Sequence, residues 1–367
     1  MVGKLLIQQF IADNPKDWET KLKKDPYSLQ ITRDQGYVIF SYKIDSKFSE
    51  PLVHECRGII LREEDWSVVC FPFIKFFNYG EGYAADIDWS SARVQEKLDG
   101  SIIKLWWDRD HWWVSTNGVI DARKCPLFND LSESNRTYYD LFNEAAVECL
   151  DYSVLCKDRT YIFELVSPYN RVVVPYKETR IYHIGTRDNR TFQEIDQDIG
   201  VPKPQTYSFN SLKEAVEAAK ALPFSEEGYV VVDKNWNRVK IKSPAYVSVH
   251  HLSNNGRVNK KRILELISIN EHKEFLTYFP EYIEHVDKVQ VDLENFYKKV
   301  EADIEKFFSR NYIDKKSFAL DVTKEAVNPG LMFAIYDGKF SKENYKEYFR
   351  NLMSPINKMM QFLGYKE

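Results

Sequence analysis

The hydrophobic pattern of this 367-residue chain changes between residues 243 and 260. Upstream, short runs of aromatic and β-branched residues are separated by turn residues, which predicts β-strands joined by hairpins. Downstream, apolar residues recur at three- and four-residue intervals, which predicts amphipathic helices. We therefore expect an α+β domain over residues 1–243, with antiparallel sheets and outer helices, and an all-α domain over residues 244–367.

Individual elements of the upstream part can be placed. Two alternating runs around Asp34-Gln35-Gly36 predict a β-hairpin. Helices are expected over Asn135–Leu150 and Ser211–Lys220, because both carry apolar residues at helix spacing. In the second, Ser211 followed by Glu214 is also typical of a capping box. The other predicted strands are Gly58–Leu61, Ser67–Phe71, Ile102–Trp107, Trp112–Ser115, Tyr161–Val166, Arg180–Ile184, Tyr229–Val232 and Val239–Lys242.

Charge and aromatic content limit the possible partners. With 51 basic and 55 acidic residues the formal net charge is -4, which excludes a histone-like polycation. Any nucleic acid must therefore be bound in a local groove. Aromatic residues make up 15% of the chain and serve either as core or as stacking surfaces for bases. Of the pairs Trp106-Trp107 and Trp112-Trp113, one member each is expected in the core.

The cysteines and the apolar segments indicate a reduced, cytosolic setting. The five cysteines are scattered and show no C-x-x-C spacing, which argues against a disulfide framework or a zinc site. No stretch has the length of about 18–20 apolar residues that a membrane span needs. The N-terminal residues also lack a signal-peptide pattern. We expect a cytoplasmic protein without a membrane partner.

A K-x-D-G tetrad, Lys97-Leu98-Asp99-Gly100, follows a strand-like segment and precedes another. Alone it is a weak signal, because Asp-Gly between two strands also marks an ordinary hairpin turn. Four further segments accompany it in the chain, namely Glu55-Cys56-Arg57-Gly58 with Pro72–Asn78, Phe163–Val166, Glu226–Val230 and Val239–Lys242. Together with Pro168–Val173 and Lys242–His250, this series resembles the bacteriophage RNA ligase 1 family, within the covalent nucleotidyltransferase superfamily.

The resemblance implies a fold and a reaction. The fold is an antiparallel-sheet nucleotidyltransferase (ATP-grasp-like ligase) domain, followed by a helical domain that recognises RNA. The reaction is ATP-dependent joining of RNA 5′-phosphate and 3′-hydroxyl ends through a lysyl-AMP intermediate and an RNA-adenylate, in RNA repair. Implied partners are single-stranded RNA ends or a nicked tRNA anticodon loop, and a monomer is expected. Implied cofactors are ATP and Mg²⁺, with Mn²⁺ as an alternative.

The resemblance also implies roles for individual residues. Lys97 is the nucleophile that takes AMP, and Glu96, Asp99 and Gly100 surround it at the nucleotide. Such a lysine needs help to lose its proton, because the pKa of free lysine is about 10.4. The other matching positions are Arg57 and Lys75 for the triphosphate, Glu164 for the ribose, Lys240 and Lys242 for the α-phosphate, Glu227 for a metal-bound water, and Tyr42 and Tyr246 in the nucleotide site.

Two positions depart from the family pattern. Asn117 stands where the family usually has a lysine, so one phosphate contact is expected to be missing. Asn270-Glu271-His272 stands where the family has paired acidic residues proposed to bind a metal, so we assign no metal site to this segment. Two alternatives remain open at this stage. One is another polynucleotide ligase or a capping-type nucleotidyltransferase, and the other is a non-catalytic RNA-binding module of the same fold.

Overall fold

A computed structural model describes residues 3–127, 136–252, 259–352 and 355–365. The chain divides into two compact units, residues 1–253 and 254–367. Among the described residues, no helix combines the length and the apolar composition needed to cross a membrane. The sequence predicts a loop at Asn254-Asn255-Gly256 and a basic run that begins at Arg257; these four residues lie outside the described ranges.

The described residues of the first unit include fourteen short strands, numbered in chain order. They are β1 Gln30–Asp34, β2 Tyr37–Ser41, β3 Arg57–Arg62, β4 Val68–Cys70, β5 Phe77–Asn78, β6 Arg93–Glu96, β7 Ser101–Asp108, β8 His111–Ser115, β9 Arg159–Val166, β10 Arg180–Asp188, β11 Glu194–Ile195, β12 Thr206–Tyr207, β13 Gly228–Val232 and β14 Arg238–Lys242. All the longer strands were predicted within a few residues. The two-residue strands were not, because they are too short to show alternation.

These strands form three sheets. Sheet 1 has the order β1-β2-β3-β4, sheet 2 the order β11-β10-β9-β7-β8, and sheet 3 the order β12-β6-β13-β14-β5. The pairings are antiparallel except for β14 with β5, which run parallel. The antiparallel sheets of the predicted fold class are therefore confirmed.

Where the structure describes it, the first unit also has six α-helices: α1 Leu6–Asp13, α2 Trp18–Leu22, α3 Pro51–Glu55, α4 Tyr138–Cys149, α5 Leu212–Lys220 and α6 Pro244–Leu252. Ser211 caps α5 as predicted, since its hydroxyl accepts from Glu214 N at 3.2 Å. The Glu214 carboxylate accepts from Asn210 N instead of completing the capping box at Ser211. Helix α6, which follows the predicted boundary at residues 243 and 244, is part of the first unit.

The described residues of the second unit form helices: α7 Lys260–Ser268, α8 His272–Tyr278, α9 Ile283–Phe308, α10 Lys315–Glu325, α11 Pro329–Tyr336, α12 Tyr345–Arg350 and α13 Pro355–Phe362. The predicted apolar stripe on α9 faces the core of this unit. Its buried members are Val286, Val289, Phe296, Val300, Ile304 and Phe307. Leu293, partly buried, packs against the same core.

Candidate active site

A pocket of about 520 Å³ opens in the first unit, between sheets 2 and 3 and the start of β3. The register of sheet 3 builds one wall, because Gln95 of β6 and Lys240 of β14 both pair with Val230 of β13. Six of the predicted site residues line the pocket: Arg57, Glu96, Lys97, Gly100, Glu164 and Lys240.

Lys97 follows β6, and hydrogen bonds hold both its backbone and its side chain. Its backbone N donates to Gly228 O at 2.8 Å, and its Nζ donates to Glu227 Oε2 at 2.7 Å. Lys242 Nζ lies 3.6 Å from the other oxygen of Glu227. The Glu227 side chain is only 5% exposed. One buried carboxylate is therefore shared by two lysines, one of which is the predicted nucleophile.

Two glycines allow the chain to pack closely at this point. Gly228 has φ of +137°, and a Cβ there would lie 2.1 Å from Ile241 O on the neighbouring strand. A Cβ on Gly100 would lie 2.4 Å from Leu165 O on β9. Because no side chain fits at either distance, both positions require glycine. They bring β9 and β14 close to Lys97.

Glu164 lies on β9, where its Oε1 accepts from Gly100 N at 3.1 Å. Burial raises the pKa of Glu164 to about 7; the ammonium of Lys97 lowers it, and the charge of Glu227 adds to the rise. A carboxylate of this kind changes its charge near neutral pH. In its ionised form it can accept a hydrogen bond from a hydroxyl in the pocket.

Lys240 is surrounded by other cations. Burial holds its pKa well below the usual value, and the charges of Lys75, Lys242, Lys97 and Arg57 lower it further. Two of these groups contact the ring of Phe76, with Arg57 Cζ 5.0 Å and Lys240 Nζ 5.5 Å from its centroid. Such a cluster repels itself when empty, so a phosphate group entering the pocket would stabilise it.

Lys75 and Tyr42 lie beside the pocket and contact each other. Lys75 Nζ is 5.1 Å from the Tyr42 ring centroid, 5.0 Å from that of Phe48 and 5.3 Å from that of Phe77. The three rings hold the ammonium by cation–π attraction. Since its charge depresses the Lys240 pKa, Lys75 belongs to the same electrostatic cluster.

Asp99 and Tyr246 lie behind the pocket wall. The Asp99 side chain accepts from Val173 N at 2.8 Å, from Val174 N at 2.7 Å and from the Tyr246 hydroxyl at 2.7 Å. Asp99 is 4% exposed and Tyr246 is 2% exposed. Asp99 thus connects the 173–174 backbone to Tyr246 of helix α6, and the role of both residues at the nucleotide stays a prediction. His250 stacks on Tyr246 at 5.8 Å between ring centroids.

Carboxylates near Lys97 limit the kind of metal site that this pocket could provide. Within the described ranges no group of three or more His, Cys, Asp or Glu side chains could hold a metal ion. Glu164 and Glu227 lie close enough that the charge of Glu227 raises the pKa of Glu164. One or two carboxylates suit Mg²⁺, which in such sites also binds substrate phosphates and keeps several waters.

Asn117 lines the pocket, at the position where the resemblance suggested a lysine. Its Oδ1 is buried and has no hydrogen-bond partner among the described residues.

His272 begins α8 in the second unit and is 7% exposed. The tryptophan pairs behave as expected, because Trp106 and Trp113 stack in the core while Trp107 and Trp112 are only partly buried.

Arg238 was missed from the sequence although it lines the pocket. Glu194 accepts from both of its terminal nitrogens, at 2.8 and 2.6 Å, and also from Arg187 Nη2 at 2.8 Å. The Arg238 guanidinium also lies 4.2 Å from the Phe73 ring centroid. The available signal was the alternation of positions 238, 240 and 242, which places all three on one face of β14.

Comparisons with known proteins show the family to which this chain belongs. A family model described as RNA ligase matches residues 55–246, slightly more than half of the chain. A protein of Autographa californica nuclear polyhedrosis virus, named as a bifunctional polynucleotide kinase/RNA ligase, is 33% identical over 301 residues, which cover 74% of this chain and 42% of that protein. The RNA ligase of Rhodothermus phage RM378 is 29% identical over 304 residues, covering 65% of this chain and 69% of that protein.

The chain thus spans less than half of the viral protein's length. Among solved structures, an archaeal ATP-dependent RNA ligase aligns over 82% of this chain and 83% of its own, with 13% identity and a TM-score of 0.46. The family match includes every segment that builds the pocket around Lys97, from Glu55 to Tyr246. The chain therefore belongs to the phage-type RNA ligase family.

Proposed function

We propose that the protein is an ATP-dependent RNA ligase that works through a covalent lysyl-AMP. The observation that carries this proposal is the position of the Lys97 ammonium, 2.7 Å from buried Glu227 in a pocket lined by further cations. In the first step Lys97 Nζ forms a bond to the α-phosphorus of ATP. The bond from that phosphorus to the bridging oxygen breaks, and pyrophosphate leaves. The reaction is mostly positioning and charge neutralisation, for which the pocket is suited.

Lys97 must lose a proton before it attacks. Glu227 is in direct hydrogen-bond contact with its Nζ and is the nearest acceptor for that proton. The positive charges of Lys240, Lys242 and Arg57 would attract the phosphates of ATP to this side of the pocket. When bound with ATP, Mg²⁺ would neutralise phosphate charge, and Glu227 is the residue proposed to hold it through a water.

The remaining site residues take roles that match their positions. We assign Lys240 and Lys242 to the α-phosphate, and Arg57 and Lys75 to the two outer phosphates. The Glu164 carboxylate, next to Gly100, would accept from a ribose hydroxyl. Glu96 would contact the nucleotide from the end of β6. Asp99 and Tyr246 would act indirectly by supporting the wall that these groups share.

The later steps transfer AMP to RNA. An RNA 5′-phosphate attacks the lysyl-AMP phosphorus, which frees Lys97 and gives an RNA-adenylate. A 3′-hydroxyl then attacks the RNA phosphate, forms the phosphodiester and expels AMP. We assign these reactions to the domain over residues 1–243 and RNA recognition to residues 244–367. The helices after residue 258 favour an RNA ligase over DNA ligases and capping enzymes, which carry an oligonucleotide-binding barrel there.

The RNA substrate, the oligomeric state and the cellular setting are part of the same proposal. We infer a role in RNA repair, with a nicked tRNA anticodon loop or linear single strands as substrates. The enzyme would act as a monomer in the cytoplasm, with Mg²⁺ or Mn²⁺. Ligation assays that compare a nicked tRNA stem-loop with linear RNA, and size-exclusion chromatography, address the substrate and the monomer.

The experiment that tests the proposal is adenylylation with labelled ATP. The wild-type chain should retain label after denaturation, and mass spectrometry should find one AMP on Lys97. Lys97→Ala should fold and retain none. Label from GTP, or transfer to DNA but not to RNA, would instead indicate a capping or DNA-joining enzyme. A folded wild-type chain that takes no label with ATP and Mg²⁺ would refute the catalytic assignment and favour an RNA-binding module.

A further inference from the structure

Lys104 on β7 is a fully buried lysine that the proposed reaction does not use. Its side chain is 0% exposed, and its Nζ donates to the backbone carbonyl of Gly58. Among the residues that the structure describes, it forms no ion pair with a carboxylate. Burying an unpaired charge is costly, and a fold seldom retains one without a use for it.

The surroundings of Lys104 connect it to the pocket wall. Gly58 is the bulge residue of β3: Phe40 pairs with Ile59 and Ser41 pairs with Arg57, which leaves Gly58 without a partner in sheet 1. A Cβ built on Gly58 would lie 2.8 Å from Lys104 Nζ and 2.8 Å from Asn117 O. The ammonium, the bulge and the Asn117 backbone therefore converge at one point.

That point lies behind the part of the pocket wall to which the proposed function assigns phosphate binding. Arg57, adjacent to the bulge, and Asn117 both line the pocket. Ser41 Oγ donates to Asn117 O at 2.6 Å and ties the two wall segments together. The nearby ionisable groups are the Arg57 guanidinium and the Cys70 thiol. Burial lowers the pKa of Lys104 to about 8; the Cys70 thiolate would raise it, and Arg57 lowers it further.

We propose that Lys104 is a positioning residue for nucleotide binding, whose buried charge holds the Gly58 bulge and Arg57 in place and attracts the phosphates across the wall. This inference rests on the proposed function of the pocket. It also explains how the pocket can bind phosphates although Asn117 is neutral. A buried charge acts more strongly on a nearby anion than an exposed one, because water and salt screen it less.

Two variants separate the charge from the hydrogen bond. Lys104→Met removes both, whereas Lys104→Gln removes the charge and keeps an N–H donor. Binding of ATP and of adenosine, which lacks phosphates, is measured by calorimetry, and unfolding is followed in urea. Both variants should weaken ATP binding about tenfold, as expected for one buried charge, and leave adenosine binding unchanged. Lys157→Met, which removes an exposed lysine stacked on Trp107, is the matched control and should bind ATP normally.

The outcomes are distinguishable. Stability equal to or above that of the wild type, with weakened ATP binding that persists at high salt, supports the proposal. Normal ATP binding in both variants, weakening in Lys104→Met alone, equal weakening for adenosine, or unfolding of both variants would each reject it. A wild-type chain that binds no ATP would refute the proposed function, and this inference with it.

Discussion

Glu164 offers a test in which stability and activity should move in opposite directions. Its pKa rises from 4.5 to about 7, chiefly because of burial. The folded chain therefore binds this proton more tightly than the unfolded chain does. Ionisation of Glu164 opposes folding, and the free energy of unfolding should fall as the pH rises from 4.5 to about 7.

The size of the effect follows from the shift. A pKa change of this size corresponds to about 3 kcal/mol at pH 8. Because the carboxylate is partly exposed to water, we expect Glu164→Gln to recover about 1–3 kcal/mol. Glutamine has nearly the same shape, and its carbonyl oxygen can still accept from Gly100 N. The stabilisation should disappear below pH 4.5, where the wild-type carboxyl is protonated in both states.

The assay is urea denaturation of both chains at pH 8 and near pH 4.5, together with adenylylation at pH 8. Glu164→Gln should be more stable at pH 8 and yet take up AMP at least tenfold more slowly, because the neutral amide is a weaker acceptor for a ribose hydroxyl. The reasoning would be refuted if Glu164→Gln were no more stable than the wild type at pH 8, or if the difference did not depend on pH.

Three other substitutions test single features of the site. Glu227→Ala should slow adenylylation at least 100-fold, because it removes the proton acceptor of Lys97; labelled ATP checks this, and a normal rate would contradict the assignment. Gly228→Ala should destabilise the chain by more than about 3 kcal/mol, since a Cβ would lie 2.1 Å from Ile241 O; urea denaturation measures it, and an unchanged midpoint would count against the packing described. Glu194→Gln should cost about 3–5 kcal/mol in the same assay, because two buried arginines share that carboxylate, and a loss below 1 kcal/mol would show that the arginines find other partners.

The sequence predicted the long elements well because each carries a local signal. Strands β7 and β9 show alternation and β-branched or aromatic residues, and α9 shows a stripe of apolar residues. The short strands β5, β11 and β12 carry no such signal. They form because longer neighbours offer unpaired edges, which is a property of the sheet and not of the segment.

For the candidate site, the sequence indicated the residues but not their proximity. Lys97, Glu227, Lys240 and Lys242 could be named from motifs, because the chemistry requires those residue types in that order. The pairing of β13 with β6 and β14 then brings them together across more than 130 residues of chain. No local pattern shows this proximity.

Asp99, Lys104 and Arg238 show what depended on the tertiary structure. The resemblance implies that Asp99 belongs to the nucleotide site, and only the fold shows that its oxygens accept hydrogen bonds from the 173–174 backbone and from Tyr246. Lys104 and Arg238 resemble ordinary strand lysine and arginine residues in the sequence. Their importance arises from a bulge at Gly58 and from Glu194, which lie far away in the chain. Residue types thus specify which chemistry is possible. Burial and long-range partners decide which charges face the pocket, because desolvation and hydrogen bonding depend on the folded surroundings.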